Sequence, residues 1–233
     1  MTKIIVVDTE TTGLGDADEV IEVAVVRLDG GSASSLIRPR VPISVEARAA
    51  HHISDRDLAR APTMADLLLH DPYFFRADVL VAHNAEFDLR MLRQSRVPAA
   101  ALPPRTICTW RCALHVFPDA PSYGNQVLRY HLGIGGPVKG DLPSHRALSD
   151  AIVTSRILTR MLEANTVDRL VELTTTPVLL RTVKFGKHAG KLWEDVDTDY
   201  LAWITSKSDF QADVLHTARH WLAERRRKRA ALP

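Results

Sequence analysis

As far as about Asn165, the spacing of apolar and polar positions alternates between short strands and amphipathic helices. Ile4-Ile5-Val6-Val7 places four β-branched residues in a row, the composition of a strand buried on both faces. Val20 to Leu28 is again rich in Val and Ile, Asp29-Gly30-Gly31 signals a hairpin turn, and Ser35 to Arg38 completes a third strand. Together these predict an antiparallel meander. Pro42 to Ile53 reads as a short helix ending in His51-His52, and Ser54 with Asp55 and Asp57 as a cap with acids behind it. Helical spacing covers Pro62 to Phe75. Asp78 to Ala82 is a fourth buried strand, with Asn84 as cap of a helix over Ala85 to Gln94. Thr106 to Thr109 is strand-like, and Trp110 to Val116 and Asn125 to Leu132 are helical. After a Gly- and Pro-containing loop, Gly133 to Pro143, Ser144 serves as a cap. Ala147, Ile152, Ile157, Leu158 and Leu162 then mark a long amphipathic helix. The class expected is α/β, a mixed sheet flanked by helices.

Near Asn165 the character changes. A helical stretch from Val167 runs into Thr174-Thr175-Thr176-Pro177, a turn-and-break signal. Three of the four tryptophans, Trp193, Trp203 and Trp221, follow it and predict a separate small hydrophobic cluster. The expected organisation is a main domain over 1–165, a linker over 166–177 and a small module over 178–233.

The bulk composition, 45% hydrophobic and 25% charged over 233 residues, is that of an ordinary globular chain. A formal charge of +2 does not by itself name a polyanionic partner, but Arg225-Arg226-Arg227-Lys228-Arg229 gathers five cations near the C-terminus. Cys108 and Cys112 are the two cysteines, which excludes a disulfide framework and a four-thiolate zinc site and predicts reduced, buried thiols. No apolar run reaches the ~18 residues that a membrane span needs. The start, Met-Thr-Lys-Ile-Ile-Val-Val-Asp, is charged too soon for a signal peptide, so the expected location is cytoplasmic, with no membrane partner.

The candidate chemistry begins where the first strand ends. Asp8 and Glu10 follow Val7 at i and i+2, so both project to one face. Two like charges at the edge of a core are unfavourable unless a cation sits between them, and a divalent metal is the obvious candidate. Two further sites match this pair. In Val81-Ala82-His83-Asn84-Ala85-Glu86-Phe87-Asp88 a buried strand turns into a helix, with Asp88 in its first turn. In Ser144-His145-Arg146-Ala147-Leu148-Ser149-Asp150 the histidine and aspartate are five apart, about 140° out of register on one helix. They meet at one site if His145 lies at or before the helix start. There the helix amides push it toward the neutral form a general base requires.

Asp8-x-Glu10-Thr-Thr-Gly13, His83-Asn84-x2-Phe87-Asp88 and His145-x4-Asp150 together resemble the three motifs of the DnaQ-like 3′–5′ exonucleases of the DEDDh type, which have an RNase H-like fold. The resemblance implies two magnesium or manganese ions held by Asp8, Glu10, Asp88 and Asp150, with His145 as general base. It implies hydrolysis of DNA from a free 3′ end, single-stranded or frayed duplex, with release of nucleoside 5′-monophosphates in repair or end processing. Hard oxygen donors suit those metals, and no Cys or His cluster points to zinc. Substrate contacts are implied at Thr9, Thr12, Gly13 and Leu14, the leucine wedging against the last base. Glu46 and His51 match an element of the nucleotide pocket, with a structural role open for His51 or His52. Asn84 fits a cap, and Phe87 core or a base-stacking surface. Gly15 stands where a longer polar residue follows the wedge leucine in the family, which favours single strands over blunt duplex.

The tail resembles the C-terminal module of exodeoxyribonuclease X-type proteins through Val183-Lys-Phe-Gly-Lys-His-Ala-Gly-Lys191 and Asp199-Tyr-Leu-Ala-Trp-Ile204. Gly186-x3-Gly190-Lys191-Leu192 is one residue short of a P-loop and lacks its Ser or Thr. Lys184, Lys187 and Lys191 beside aromatics suggest contacts to a nucleic-acid backbone, with a solvated basic turn as the competing reading. An RNA-trimming enzyme or polymerase proofreading subunit is the nearest alternative function. A non-catalytic DNA-binding scaffold is one of another class. A monomer and a homodimer both remain open.

Overall fold

A computed structural model describes residues 2–135 and 145–230. Strands β1 (Ile4–Thr11), β2 (Val20–Arg27) and β3 (Ser32–Leu36) form the expected antiparallel meander. On its other side β1 pairs in parallel with β4 (Val79–Ala82), and β4 with β5 (Arg105–Cys108), giving a mixed five-stranded sheet of order β3-β2-β1-β4-β5. Helices α1 (Val45–His51), α2 (Asp55–Leu58) and α3 (Met64–His70) connect β3 to β4, and α4 (Ala85–Gln94) connects β4 to β5. Then come α5 (Thr109–Val116), α6 (Asn125–His131), α7 (Ala147–Leu162) and α8 (Val167–Thr175).

Period-two alternation sends Ile5 and Val7 into one core with Leu80, Met91 and Leu92, and Ile4 and Val6 into another with Ile107, Ile157, Leu158 and Met161. Asp8 and Glu10 continue the face of Ile4 and Val6, which α7 covers. Ala147 and Ala151 meet Ala24 there, and three methyl-sized side chains let the start of α7 lie close to the sheet.

Several expectations shift. The helix expected to reach Phe75 ends at His70, because Asp71 precedes Pro72 and leaves the helical region at φ −129°, ψ 81°. Phe74 and Phe75 still fill the core, edge to face at 4.9 Å. Strand β3 begins at Ser32 rather than Ser35; it is an edge strand whose polar residues, pairing with Glu22 to Val26, hide its start. The N-cap position of α7 is Arg146, while Ser144 lies outside the described residues. The 166–177 linker is not one: Leu170 and Leu173 of α8 are buried with Ile157 and Leu158, and the compact units divide between Thr174 and Thr175.

The second unit closes around Val183, Trp193, Val196, Leu201, Ile204, Val214 and Ala218, with α9 (Thr198–Thr205) and α10 (Ala212–Ala230) supplying its helices. The arginine-rich run is helical within α10. Both cysteines are free and buried. Among the described residues no helix is long and apolar enough to cross a membrane.

Candidate active site

The C-terminal end of β1 carries the first two acids. Asp8 stands opposite Ala24 and Glu10 opposite Glu22, and the register slips between Glu10 and Thr11 as the strand leaves the sheet. Asp150, in the first turn of α7, comes down on this face. One carboxylate oxygen from each of Asp8, Glu10 and Asp150 lies within 4.8 Å of the others. They line a cleft of about 450 Å³ with His83, Phe87, Asp88 and His145. Because β4 runs parallel beside β1, its C-terminal end delivers α4, and with it Asp88, to the same edge.

Asp88 is outside the trio though in the same cleft: it is buried and accepts a 2.8 Å hydrogen bond from the Thr9 hydroxyl. His83 is tied between the Thr109 hydroxyl at 2.9 Å and the Tyr123 carbonyl at 2.8 Å, and burial lowers its pKa. It serves as cleft wall.

His145 precedes the helix, as the spacing requires, in a left-handed conformation with φ 63°. Its N–H donates to Asp150 Oδ2 at 2.8 Å, and Gln126 Nε2 donates to Asp150 Oδ1 at 2.8 Å. Glu22 of β2 anchors the next residues: it accepts from Arg146 Nε at 3.0 Å and Nη2 at 2.6 Å, and from the Ala147 N–H at 3.0 Å. A side chain from another strand thus satisfies an amide at the start of α7. Glu22, Arg146 and Gln126 were not among the expected site residues. The available signal for Glu22 was a lone acid inside Val20-Ile-Glu-Val-Ala-Val-Val26.

The electrostatics are those of crowded, buried acids. Asp8 is held well above the usual carboxylate range by burial first, then by Asp88, Asp150 and Glu10. Glu10 is pushed up to about 8 by burial and Asp150, against a lowering pull from Arg146. Burial raises Asp88 to about 7 although its bond from Thr9 pulls the other way.

A neighbouring lobe of about 420 Å³ shares Thr9, Glu10 and Phe87 and adds Gly13, Leu14, Glu46 and His51. Leu14 is 76% exposed at its rim. A Cβ at Gly13 would come within 2.6 Å of Asp18 Oδ2, so a side chain there would push the Asp18 carboxylate off its bonds to Thr12 and Gly15. His51 is the histidine in the lobe: its Nδ1 accepts from the Ile53 N–H at 2.9 Å, while Nε2 is buried without a hydrogen-bond partner, and burial lowers its pKa. His52 is instead the exposed, left-handed C-cap of α1.

The contact expected of Thr12 is corrected, whereas Asn84 stands at the helix start expected of it. Thr12 is buried, its N–H donates to the Glu19 carbonyl at 2.8 Å and its hydroxyl to Asp18 at 2.6 Å, so it supports the turn from beneath. Asn84 occupies the N-cap position of α4 in a left-handed conformation with no side-chain cap bond. Lys184, Lys187 and Lys191 are exposed in the second unit.

Three converging carboxylates supply hard oxygen donors, and the raised pKa values of Asp8 and Glu10 mark an unmet need for positive charge. The donor set therefore fits divalent cations. The model of a family described as exonuclease and named for RNase T matches residues 5–158. Exodeoxyribonuclease 10 of Escherichia coli K12 is 32% identical over 227 residues, covering 93% of this chain and 97% of that protein. The DNA polymerase III epsilon subunit of Treponema pallidum is 32% identical over 162 residues, 66% of this chain and 74% of that one. A solved structure of exonuclease X in complex with 5′-overhanging duplex DNA is similar with a TM-score of 0.63 and 30% identity, covering 73% of this chain and 99% of that one. The family is divalent-metal dependent, in keeping with the acidic trio. From its fold, its site and these relatives, the chain belongs to the exonuclease family and is a DnaQ-like 3′–5′ exonuclease.

Proposed function

We propose that the substrate is DNA with a free 3′ end, single-stranded or frayed, and that nucleoside 5′-monophosphates are released with two magnesium or manganese ions bound by Asp8, Glu10, Asp88 and Asp150. The observation that carries this reading is the convergence of Asp8, Glu10 and Asp150 beside His145 in one cleft. Bound cations would supply Lewis-acid stabilisation of charge at the scissile phosphate and acidify the attacking water. The rest falls to side chains. His145, exposed at the cleft, takes the proton of the attacking water, and the Asp150 bond to its N–H fixes its backbone. The Thr9 hydroxyl orients Asp88, and Glu22 fixes Arg146 so that the His145 segment keeps its place.

The neighbouring lobe suits the terminal nucleotide. Leu14 and Phe87 offer apolar surface to the last base, a contact insensitive to sequence. The unpartnered Nε2 of His51 and the Glu46 carboxylate offer polar contacts to its sugar. Gly15 brings no side chain to hold a duplex end apart, which favours unpaired ends. DNA is the polymer because the relatives include exodeoxyribonuclease 10 and exonuclease X, the latter solved with duplex DNA bound.

The test is digestion of 5′-labelled single-stranded DNA, blunt duplex and RNA, with magnesium and with EDTA. The DNA strand should shorten from its 3′ end in a ladder that EDTA and Asp8→Ala abolish. His145→Ala should keep DNA binding and lose about 10²–10⁴-fold in turnover. Cutting that survives EDTA, or wild-type turnover by His145→Ala, would overturn the assignment.

A further inference from the structure

None of the chemistry above draws on residues after Thr175, yet the second unit arranges its glycines and aromatic rings to a purpose. Gly186 has φ 62°, and a Cβ there would collide with the Tyr200 hydroxyl, so a glycine lets the turn Phe185-Gly186-Lys187-His188 close around that ring. The close approach places Lys187 Nζ 5.2 Å from the Tyr200 ring centroid and the His188 ring 4.6 Å from it. Tyr200 stacks on Trp203 at 5.2 Å and 27°, and Trp203 meets Phe210 edge to face at 5.7 Å. Phe210 in turn stacks on Phe185 at 5.1 Å and 29°. Lys207 Nζ lies 6.0 Å from the Trp203 centroid.

The outcome is a continuous row of four rings with a lysine at two of them. Its position is unlike that of a core aromatic: Trp193 is 1% exposed, whereas Trp203 is 45% exposed although rings on both sides hold it. Lys187 Nζ pairs with Asp197 Oδ2 at 3.9 Å, beyond hydrogen-bond reach, so the ammonium keeps its donors for another anion. From Thr175 onward, eleven Lys and Arg stand against seven Asp and Glu, a formal +4. A half-exposed tryptophan braced by neighbouring rings and flanked by lysines, in a basic unit, matches a polyanion that carries stackable bases. A protein-docking groove would not need the flanking cations.

We infer that the Tyr200–Trp203–Phe210 row is a stacking platform for unpaired nucleotides of single-stranded nucleic acid, with Lys187 and Lys207 meeting the phosphates. It binds without metal and apart from the catalytic residues, so its fate is separable from that of the nuclease site. The experiment uses the full chain in EDTA and follows the fluorescence anisotropy of a labelled oligothymidine and of a blunt duplex of equal length. Trp203→Ala should weaken single-strand binding about 10-fold and leave duplex binding nearly unchanged, and Trp203→Phe should restore most of the loss. Lys187→Ala with Lys207→Ala should flatten the log–log salt dependence by about 1.4, from about 0.7 per phosphate released on a single strand. All variants should hydrolyse the p-nitrophenyl ester of thymidine 5′-monophosphate at the wild-type rate with magnesium. Unchanged single-strand affinity and salt slope across the variants, or an equal loss on duplex, would overturn the inference and leave a protein partner as the occupant. Trp203→Phe and the lysine pair leave the buried core untouched, so the test stands even if Trp203→Ala folds poorly.

Discussion

A carboxylate buried beside other carboxylates keeps its proton well past the usual range unless a cation takes the proton's place. In metal-free protein Glu10 is raised to about 8 and Asp88 to about 7, both first through burial. The folded state therefore favours the protonated forms. Relative to the unfolded chain, their contribution to stability is full below the ordinary carboxylate pKa and is lost as pH rises through about 7 to 8. Glu10→Gln keeps a neutral side chain of similar shape at every pH. In EDTA, its Tm should match wild type near about pH 5 and exceed it near about pH 8.5. Magnesium should reverse that order above neutrality, because metal binding needs the carboxylate and releases its proton. Thermal unfolding of both proteins across this range, with EDTA and with magnesium, checks both signs. A wild-type Tm that gains on the variant with rising pH in EDTA would contradict the assigned crowding.

At the scale of elements, α4 governs two parts of the site at once. Its first turn carries Phe87 and Asp88, and one turn on Arg90 donates to the carbonyls of Leu14 at 3.2 Å and Gly15 at 3.3 Å. Gln94 donates to the Gly15 carbonyl at 3.1 Å and to that of Asp16. Arg90 also lies 5.4 Å from the Phe87 centroid, so the loop bearing Leu14 and the ring facing the cleft share one support. Arg90→Ala should raise KM for single-stranded DNA about 3–10-fold, the weight of one or two such bonds, with little change in kcat. Arg90→Lys should recover part of the loss, since an ammonium lacks the guanidinium fork. An equal fall in kcat would instead place the effect on Asp88. What the sequence made legible at this scale follows the range of each signal. Apolar runs and local turn chemistry placed β1, β2, β4, α4 and α7, and the Ser54–Asp57 capping box lies within four residues. The periodicity of Pro62 to Phe75 misled because buried phenylalanines also sit on a turn after Pro72. The anchor of α7 was illegible because Glu22 precedes Arg146 by 124 positions, and no local pattern announces such a bond. The three acids of the trio were legible because each stands at a strand end or helix start with its own local signal.

For the whole molecule, the two units differ in what holds them and in their charge. The first has apolar clusters on both faces of its sheet, and its formal charge through Thr174 is −2, from nineteen Lys and Arg against twenty-one Asp and Glu. The second rests on one small cluster with Trp193 among its most buried side chains. A unit of that size is close to the lower limit at which a core sustains itself, so it has little stability to lose. Replacing a buried tryptophan by alanine costs roughly 3–5 kcal/mol, enough to unfold such a unit at ordinary temperature. Trp193→Ala should therefore abolish one calorimetric transition of the full chain and leave the other at its wild-type temperature. Limited proteolysis of the variant should cut first near Thr175-Thr176-Pro177, and hydrolysis of a mononucleotide ester with magnesium should continue at the wild-type rate. Binding of oligothymidine in EDTA should fall with the lost transition, because the row at Tyr200, Trp203 and Phe210 depends on the same fold. A single transition that moves as a whole and takes ester hydrolysis with it would mean that the chain folds as one cooperative body.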